Sequence, residues 1–599
     1  MIFFAGNSLS KSITRTNLVL IPKKSNVQSF SDMRPISLSS FVNKIFSSII
    51  HDRLQDILPK IISSNQSGFV KGRSIIENVL LTQELISYIN KRGKPSNVVI
   101  KLDMAKAYDR VSCFFLMKIL RKMGFSNKVV DLIWRLITNN YYSVIINGQP
   151  HGFFHSTRGV KQGDPLFPAL FILSAEVLTR ALNALFNNDQ FIRYGMPKWS
   201  PNLKYLAYVD DTIIFSSTNE YSLKKIMSTL QKYEKQSGQK VNKEKSFYYL
   251  HQNTTRNISE RVKQCLDMNW GDFPMTYLGC PIIHSIKRKE HFVELIDNVK
   301  GKLQDWKGKM LPDGGKEVLI TSVLQSTPIY ILSAIFPPMC VINELHRIFA
   351  KFFWINKETR KSKHWSAWKK ICLPKQEGGL GFRSMLKFLR LCMINFGGDS
   401  ELKRICGPIF FETSIVKKQI PTLMECKGGS QVWKYMLENR DLLEQAIWWE
   451  PKGGTSSIWF ENWTNLGPLV KHQSEGHTCH VMRDVEEFLN EEGWNYDEMQ
   501  NYVAEHVVDH IRNNMSQLKL VNQGDKPWWT VTSNGKFSVK SAWELLRVKE
   551  NVCDDLKHLW CKGIPFKFSF LAWRIWKGQV SVAQLMHSWN PKTYACLES

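Results

Sequence analysis

Tyr208-Val209-Asp210-Asp211 lies between two apolar runs, Leu206-Ala207 before it and Ile213-Ile214-Phe215 after it. Two short apolar runs joined by such a step predict a β-hairpin with both acids at its tip. Side chains alternate across a strand, so adjacent aspartates point apart, and only a turn lets both carboxylates approach one volume. Negative charge gathered there is costly unless a cation shares the site. Mg²⁺, which takes one or two carboxylates together with substrate phosphates, is one obvious occupant.

Outward from the hairpin, the next acid of interest is Asp103. It closes the β-like run Asn97 to Leu102 (NVVIKL) and precedes Met104 to Asp109, which has helical character. Sites on open sheets are commonly built at strand ends. If this strand lies beside the hairpin, Asp103, Asp210 and Asp211 form a three-carboxylate cluster. Such a cluster suits two divalent ions about 3.5–4 Å apart, one activating an attacking hydroxyl and one holding a triphosphate. The reaction class is then in-line nucleotidyl transfer. An isolated Asp-Asp pair is more often a polar turn, so the pair alone does not decide. Gly159-Val160-Lys161-Gln162-Gly163-Asp164-Pro165-Leu166 is a glycine-punctuated loop leading into an apolar helix, Ala169 to Ala184. Its glycines let backbone approach a bound strand or nucleotide, and Gln162 offers a donor and an acceptor.

Composition narrows the partner. The 599 residues hold 80 Lys+Arg against 53 Asp+Glu, a formal net charge of +27 that suits a polyanion, nucleic acid first. A hydrophobic content of 43% excludes a disordered chain, and the length predicts three or four units. No apolar run of about 18 residues and no signal peptide stand out, so no membrane partner is expected. The expected location is intracellular, nucleus or cytoplasm, and not secreted. The 12 cysteines include no CxxC pair, which speaks against a disulfide framework and against a Cys-based zinc site. Helical patterns at Phe41 to Leu58 and Ile75 to Asn90, with a β-like Ser143 to Ile146, make the class α+β.

Further along, residues 351–390 carry eleven Lys/Arg against two Glu, interleaved with Phe352, Phe353, Trp354, Trp365, Trp368, Phe382 and Phe388. Two readings stay open: a surface that holds phosphates and stacks bases, or an amphipathic helical domain with a solvated basic face. Residues 484–510 invert the balance, with nine Asp/Glu and no Lys or Arg, and mark a separate surface. From Pro527 a tryptophan-rich, mostly helical module follows, its rings expected in a core. His506 and His510 share a helix face, but Val507 stands where a HExxH metal motif needs glutamate. His477, Cys479 and His480 lack a matching partner set.

An ordered series of blocks resembles reverse transcriptases of non-LTR (LINE-type) retrotransposons, the plant branch fitting best. The blocks are Arg34-Pro35-Ile36-Ser37-Leu38, Asn65-Gln66-Ser67-Gly68-Phe69 with Gly72-Arg73-Ser74, the Asp103 motif, the Gly159 loop, Tyr208 to Asp211, Ser237-Gly238 with Asn242 and Lys245, and Tyr277-Leu278-Gly279-Cys280-Pro281. It continues through Trp306, Gly314-Gly315-Lys316, Ser326 to Tyr330 and Gly378-Gly379-Leu380-Gly381, most of the chain. The resemblance implies a right-hand polymerase: fingers and palm with an antiparallel sheet over residues 1–290, and a helical basic thumb over 291–400. A connecting region over 401–520 and a truncated module like the zinc-binding region of these enzymes over 521–599 would follow. It implies RNA-directed DNA synthesis on an RNA template from a DNA primer and dNTPs. Asp103, Asp210 and Asp211 would bind two Mg²⁺ ions, with Mn²⁺ as a substitute. Lys71 and Arg73 would lie near the triphosphate, Tyr108 against the incoming sugar as a gate, and Gln162 against template or nucleotide. Lys245 would lie near the leaving pyrophosphate, and Tyr277, Leu278 and Gly279 in the primer grip.

The chain departs from the family at several points. Phe167 stands where a small serine is usual and is expected to crowd the loop beside the substrate, since overpacking a tight site costs about 1–3 kcal/mol. Val209 stands where alanine is commoner and reads as a conservative strand residue. The chain starts near the fingers, so no endonuclease domain is expected. Of the zinc ligands only Cys596 could remain, so no zinc is expected. These departures keep a second reading open, a catalytically impaired nucleic-acid-binding remnant. An RNA-dependent RNA polymerase usually has glycine before the Asp pair and lacks a bulky residue at the Tyr108 position.

Overall fold

The computed structural model describes residues 3–578 apart from 5, 8, 91–94, 197–203, 308–310, 356–363, 390–444, 473–482, 491–492, 517–520, 522, 548 and 562. The chain divides into two compact units whose main boundary falls between Ser285 and Ile286.

In the first unit, β1 (Arg15–Pro22) and β2 (Met33–Ser39) pair antiparallel and lead into α1 (Phe41–Gln55), capped by Ser40, whose Oγ accepts from the Asn43 N–H. Ser74 caps α2 (Ile75–Ser87) in the same way. β3 (Asn97–Leu102) follows, then α3 (Cys113–Lys122), α4 (Asn127–Thr138), β4 (Tyr141–Ile146) and β5 (Gln149–Phe154). The order β2-β1-β4-β5 makes a four-stranded sheet in which β1 and β4 run parallel. After α5 (Phe167–Phe186) come β6 (Tyr205–Tyr208), β7 (Asp211–Ser217), α6 (Glu220–Ser237), β8 (Phe247–Tyr249), α7 (Arg256–Leu266) and β9 (Asn269–Trp270). A second sheet of order β6-β7-β3-β8-β9 results, antiparallel through β8. β10 (Met275–Tyr277) and β11 (Cys280–Ile282) form a hairpin.

β3 is mostly apolar because it is the middle strand, and Val98, Val99, Ile100 and Leu102 are fully buried. α5 corrects one expectation. At 20 residues it is long and apolar enough to cross a bilayer by length and composition. It is instead a core helix: Leu170, Phe171, Leu173 and Leu182 are buried, and it packs on α3 and α6. Pro168 sits in its first turn, where no N–H is needed, so the helix starts ahead of Ala169.

The second unit contains α8 (Val293–Lys307), α9 (Met339–Phe353), β12 (Ile447–Glu450), α10 (Glu505–Met515), β13 (Lys526–Trp529), α11 (Val539–Leu546), α12 (Asp554–Leu559) and α13 (Phe566–Trp576). β12 and β13 pair antiparallel. The aromatic residues of the basic stretch are mostly core: Phe352, Phe353, Trp354 and Phe382 are buried with Phe570 and Trp573 of α13. Those rings are not available to stack on bases. The acidic stretch builds its own small core from Val485, Phe488, Trp494, Val507 and Val508. His510 bonds the Thr464 carbonyl through Nε2 at 3.1 Å, and His506 lies edge-on to His472. His477, Cys479 and His480 lie outside the described residues.

A buried ion pair joins the C-terminal helices to this core. The Arg547 guanidinium spans both oxygens of Glu377 at 2.5 and 2.7 Å, with side-chain exposures of 8% and 3%. Breaking one side of such a pair leaves a buried charge unpaired and typically costs about 3–5 kcal/mol. Arg547→Met is therefore expected to lower the unfolding free energy of this unit by about that amount in thermal or urea denaturation, and Arg547→Met with Glu377→Leu by much less.

Candidate active site

The antiparallel register brings the acids together. Leu102 of β3 pairs with Thr212 of β7, and Tyr208 of β6 pairs with Asp211. One residue beyond the Leu102 pair, Asp103 comes opposite Asp211, while Asp210 sits in the turn between β6 and β7. Opposed residues of an antiparallel pair share a face, so the carboxylates collect at one end of the sheet. Their charges act on one another. Burial, with help from Asp211 and Asp103, pushes the Asp210 carboxyl up to about 6. Burial and Asp103 also raise Asp211, against the pull of Lys101.

Asp103 is held by what surrounds it. Its N–H donates to Ser246 Oγ at 3.0 Å, and its carbonyl accepts from Asn242 at 2.8 Å. The turn that does this also carries Lys245, whose side chain is exposed. Tyr108 stacks on Phe171 with ring centroids 4.7 Å apart, and burial followed by the Asp210 charge pushes its phenol up to about 12. The Gly159 loop is tied beneath it: Val160 N–H donates to the Tyr108 carbonyl and Gly159 N–H to that of Val111, both at 2.8 Å. Gly159 has φ +88°, and an added Cβ would lie 2.9 Å from the Asp109 carbonyl oxygen, so only glycine fits. Beside this loop is a cleft of about 200 Å³ lined by Pro35, Ser37, Asp109, Tyr142, Gly159 and Gln162. Lys161 is buried there against Asn43 Oδ1 at 3.5 Å, and burial lowers its ammonium to about 8.

Two sequence expectations are corrected. Val209 is not a strand residue: it is the first residue of the two-residue turn and has φ +60°, a conformation that costs a β-branched side chain strain. Phe167 does not crowd the substrate loop: it is 1% exposed and packs into the core of the first unit. Arg73 has a structural task, its guanidinium donating to the carbonyls of Ile62, Ser63 and Gln66. Lys71 is exposed and paired with Asp56 at 3.1 Å. Tyr277, Leu278 and Gly279 form the tip of the β10–β11 hairpin, with positive φ at Leu278 and Gly279. Lys101 Nζ donates to the Thr276 carbonyl at 2.7 Å, tying that hairpin to β3.

Residues 21–282 match the family model described as reverse transcriptase (RNA-dependent DNA polymerase). Residues 21–282 are a reverse transcriptase domain. The mixed helices and sheets of this stretch are those of a right-hand polymerase. Residues 537–598 match the model described as zinc-binding in reverse transcriptase. The "Transposon TX1 uncharacterized 149 kDa protein" of Xenopus laevis is 28% identical over 65% of this chain and 29% of its own length. The Pol polyprotein from type-2 retrotransposable element R2DM of Drosophila melanogaster is 27% identical over 49% of this chain and 26% of its own length. The chain thus spans less than a third of either relative. A solved structure of apo telomerase from Candida tropicalis is similar at 16% identity and a TM-score of 0.35, over 58% of this chain and 60% of that one.

The donor set at this end of the second sheet consists of hard carboxylate oxygens, the kind that Mg²⁺ and Mn²⁺ take. Among the described residues no three His, Cys, Asp or Glu side chains converge on one point as they stand. Burial first and neighbouring carboxylates second raise Asp210 and Asp211, and a bound cation would reverse the sign of that interaction. The zinc-region match leaves the expectation of no zinc without support. Of its described part, Cys553 lies against Asp555 and Cys561 donates to the Lys557 carbonyl. Cys596 lies outside the described residues.

Three outcomes follow from this geometry. Asp210 ionises near 6 in the folded chain against 3.8 ordinarily, so the cost to the folded state is absent below about 3.8, grows as pH rises towards 6 and is complete above it. Without divalent ions, Asp210→Asn is expected to raise the melting temperature at pH 8, by clearly less at pH 4.5, and hardly at all near pH 3, and Mn²⁺ affinity of the unsubstituted chain, followed by electron paramagnetic resonance, to fall as pH drops through about 6. Phe167→Ser is expected to cost about 3–5 kcal/mol in denaturation, as removal of a buried ring does.

Proposed function

We propose that this chain is the RNA-directed DNA polymerase of a non-LTR, LINE-type retroelement, extending a DNA primer on an RNA template with dNTPs. The observation that carries the reading is the set Asp103, Asp210 and Asp211 gathered at the end of the palm sheet within a reverse transcriptase domain. Those three residues would hold two Mg²⁺ ions, or Mn²⁺. When bound, the ions supply positive charge that acidifies a hydroxyl and neutralises phosphoryl oxygens. The primer 3′-hydroxyl oxygen attacks the dNTP α-phosphorus, a phosphodiester forms, and pyrophosphate leaves.

The surrounding residues have separate tasks in this reading. The Tyr108 ring, backed by Phe171, is a wall that excludes a 2′-hydroxyl. Gln162, beside the cleft at the Gly159 loop, contacts template or nucleotide. The exposed Lys245 faces the departing pyrophosphate, and the tip Tyr277-Leu278-Gly279 holds the primer. The net charge of +27 favours the phosphate backbone of both strands. The work site is the nucleus or the cytoplasm.

The reading as an impaired remnant drew in part on Phe167, and Phe167 packs into the core of the first unit. Primer extension on a homopolymer RNA template with Mg²⁺ tests the proposal. Incorporation of dNTPs is expected, reduced by about 10³-fold or more in Asp210→Asn, and Tyr108→Ala is expected to admit ribonucleotides. No incorporation by pure, folded protein with either metal would refute the proposal.

A further inference from the structure

The Asp210 turn is held by a side chain from a distant part of the sequence. Gln66 is 1% exposed and faces Val209 with its amide. The Val209 N–H donates to Gln66 Oε1 at 2.9 Å, and Gln66 Nε2 donates to the Val209 carbonyl at 3.1 Å. One primary amide thus satisfies both backbone groups of the residue preceding Asp210, as a paired strand would. The same Oε1 accepts from the Gly68 N–H at 2.9 Å, which fixes the amide orientation.

The need for this brace is local. A hairpin turn with positive φ at its first central residue normally has glycine there. Here it has valine at φ +60°, and strained backbone persists only where its surroundings over-determine it. The surroundings are built for that. Asn65 and Ser67 hydrogen-bond the edge of β6: Ala207 N–H donates to the Asn65 carbonyl at 2.9 Å, and Ser67 N–H to the Ala207 carbonyl at 3.0 Å. Asn78 Nδ2 reaches the same Ala207 carbonyl at 3.1 Å. An added Cβ on Gly68 would lie 2.5 Å from Val209 Cγ2, so the segment packs directly on the strained side chain. Arg73, through the Gln66 carbonyl, anchors the segment in turn. Behind the turn lies a cavity of about 20 Å³ lined by Gln66, Phe171, Val209 and Asp210, into which a released turn can relax.

We infer that Gln66 is a positioning residue for the catalytic aspartates, holding the strained Val209 so that Asp210 and Asp211 keep their places beside Asp103. The inference rests on the polymerase reading for its effect on rate, but the brace itself is a property of the chain alone. Gln66 touches no reacting atom and acts through Val209.

The test uses the full chain carrying Gln66→Leu, Val209→Gly, or both. In Gln66→Leu, kcat for primer extension is expected to fall about tenfold or more while KM for dNTP stays within about twofold, a loss confined to arrangement of reacting groups. Val209→Gly in the same chain is expected to recover most of that loss, because glycine takes positive φ without strain, whereas Val209→Gly alone changes the rate little. A merely structural role for Gln66 would not give that recovery. Amide hydrogen exchange on the unliganded proteins supplies a second readout, in which Val209 exchanges at least tenfold faster in Gln66→Leu with the melting temperature nearly unchanged. Unchanged exchange at Val209, or a double variant no faster than Gln66→Leu, would overturn the inference. A wild-type chain that extends no primer would instead refute the polymerase reading, and hydrogen exchange would still decide the brace.

Discussion

Repulsion between like charges is the constraint around which the first unit is arranged. Three carboxylates are placed at one end of a sheet, where burial first, and then the neighbouring carboxylates, disfavour the ionised forms of Asp210 and Asp211. Side chains alone cannot hold such a set, because every exposed rotamer that separates the charges is preferred. Backbone has to do it. β3 and β7 pair through Leu102 and Thr212, the turn at Asn242 to Ser246 clasps the Asp103 peptide from both sides, and Gln66 clasps Val209. The apolar mass behind these contacts, α5 above all, makes the arrangement stiff.

The same logic explains why the segment around Gln66 is tied down so heavily. Arg73 is spent on three carbonyls of one short stretch, which is a strong commitment for a cation that sequence order alone would place near a triphosphate. A guanidinium offers five donors in a fixed fork, and it suits converging backbone carbonyls as well as phosphate oxygens. The Gly159 loop shows a matching economy. Its glycine permits a close approach to the backbone of Asp109, and through the Tyr108 carbonyl the loop and the aromatic wall become one rigid piece. In the second unit the aromatic residues of a basic stretch turn inward, so the positive charge there is carried by a surface over a packed core.

Much of this was legible in the chain itself. β3 was readable to the residue from NVVIKL, because the middle strand buries a run of β-branched residues between Asn97 and Lys101. The hairpin was readable from its flanking apolar runs, and the gathering of Asp103, Asp210 and Asp211 followed from strand alternation and a turn. The settings of Phe167 and Val209 were not legible, nor were the carbonyls that Arg73 bonds. A residue type says what a side chain can bond, and its partner is chosen by segments far away: Arg73 by the carbonyls of Ile62, Ser63 and Gln66, and Val209 by the amide of Gln66. A signal for Gln66 was present only as its place in the Asn65 to Phe69 block. The long apolar helix was missed as a run because polar residues such as Ser174, Glu176 and Thr179 punctuate it, yet they too are buried.

By itself the sequence determined the α+β class, the three acids, the order of motifs and the excess of positive charge, since those depend on residue identity and near-neighbour periodicity. The tertiary structure alone decided that valine occupies a left-handed turn beside the acids, that Phe167 is core, and that a glutamine more than a hundred residues away holds that turn. The physical reason is that strain and burial are properties of the contacts a residue is given. Long-range packing distributes those contacts, and no local pattern in the chain encodes them.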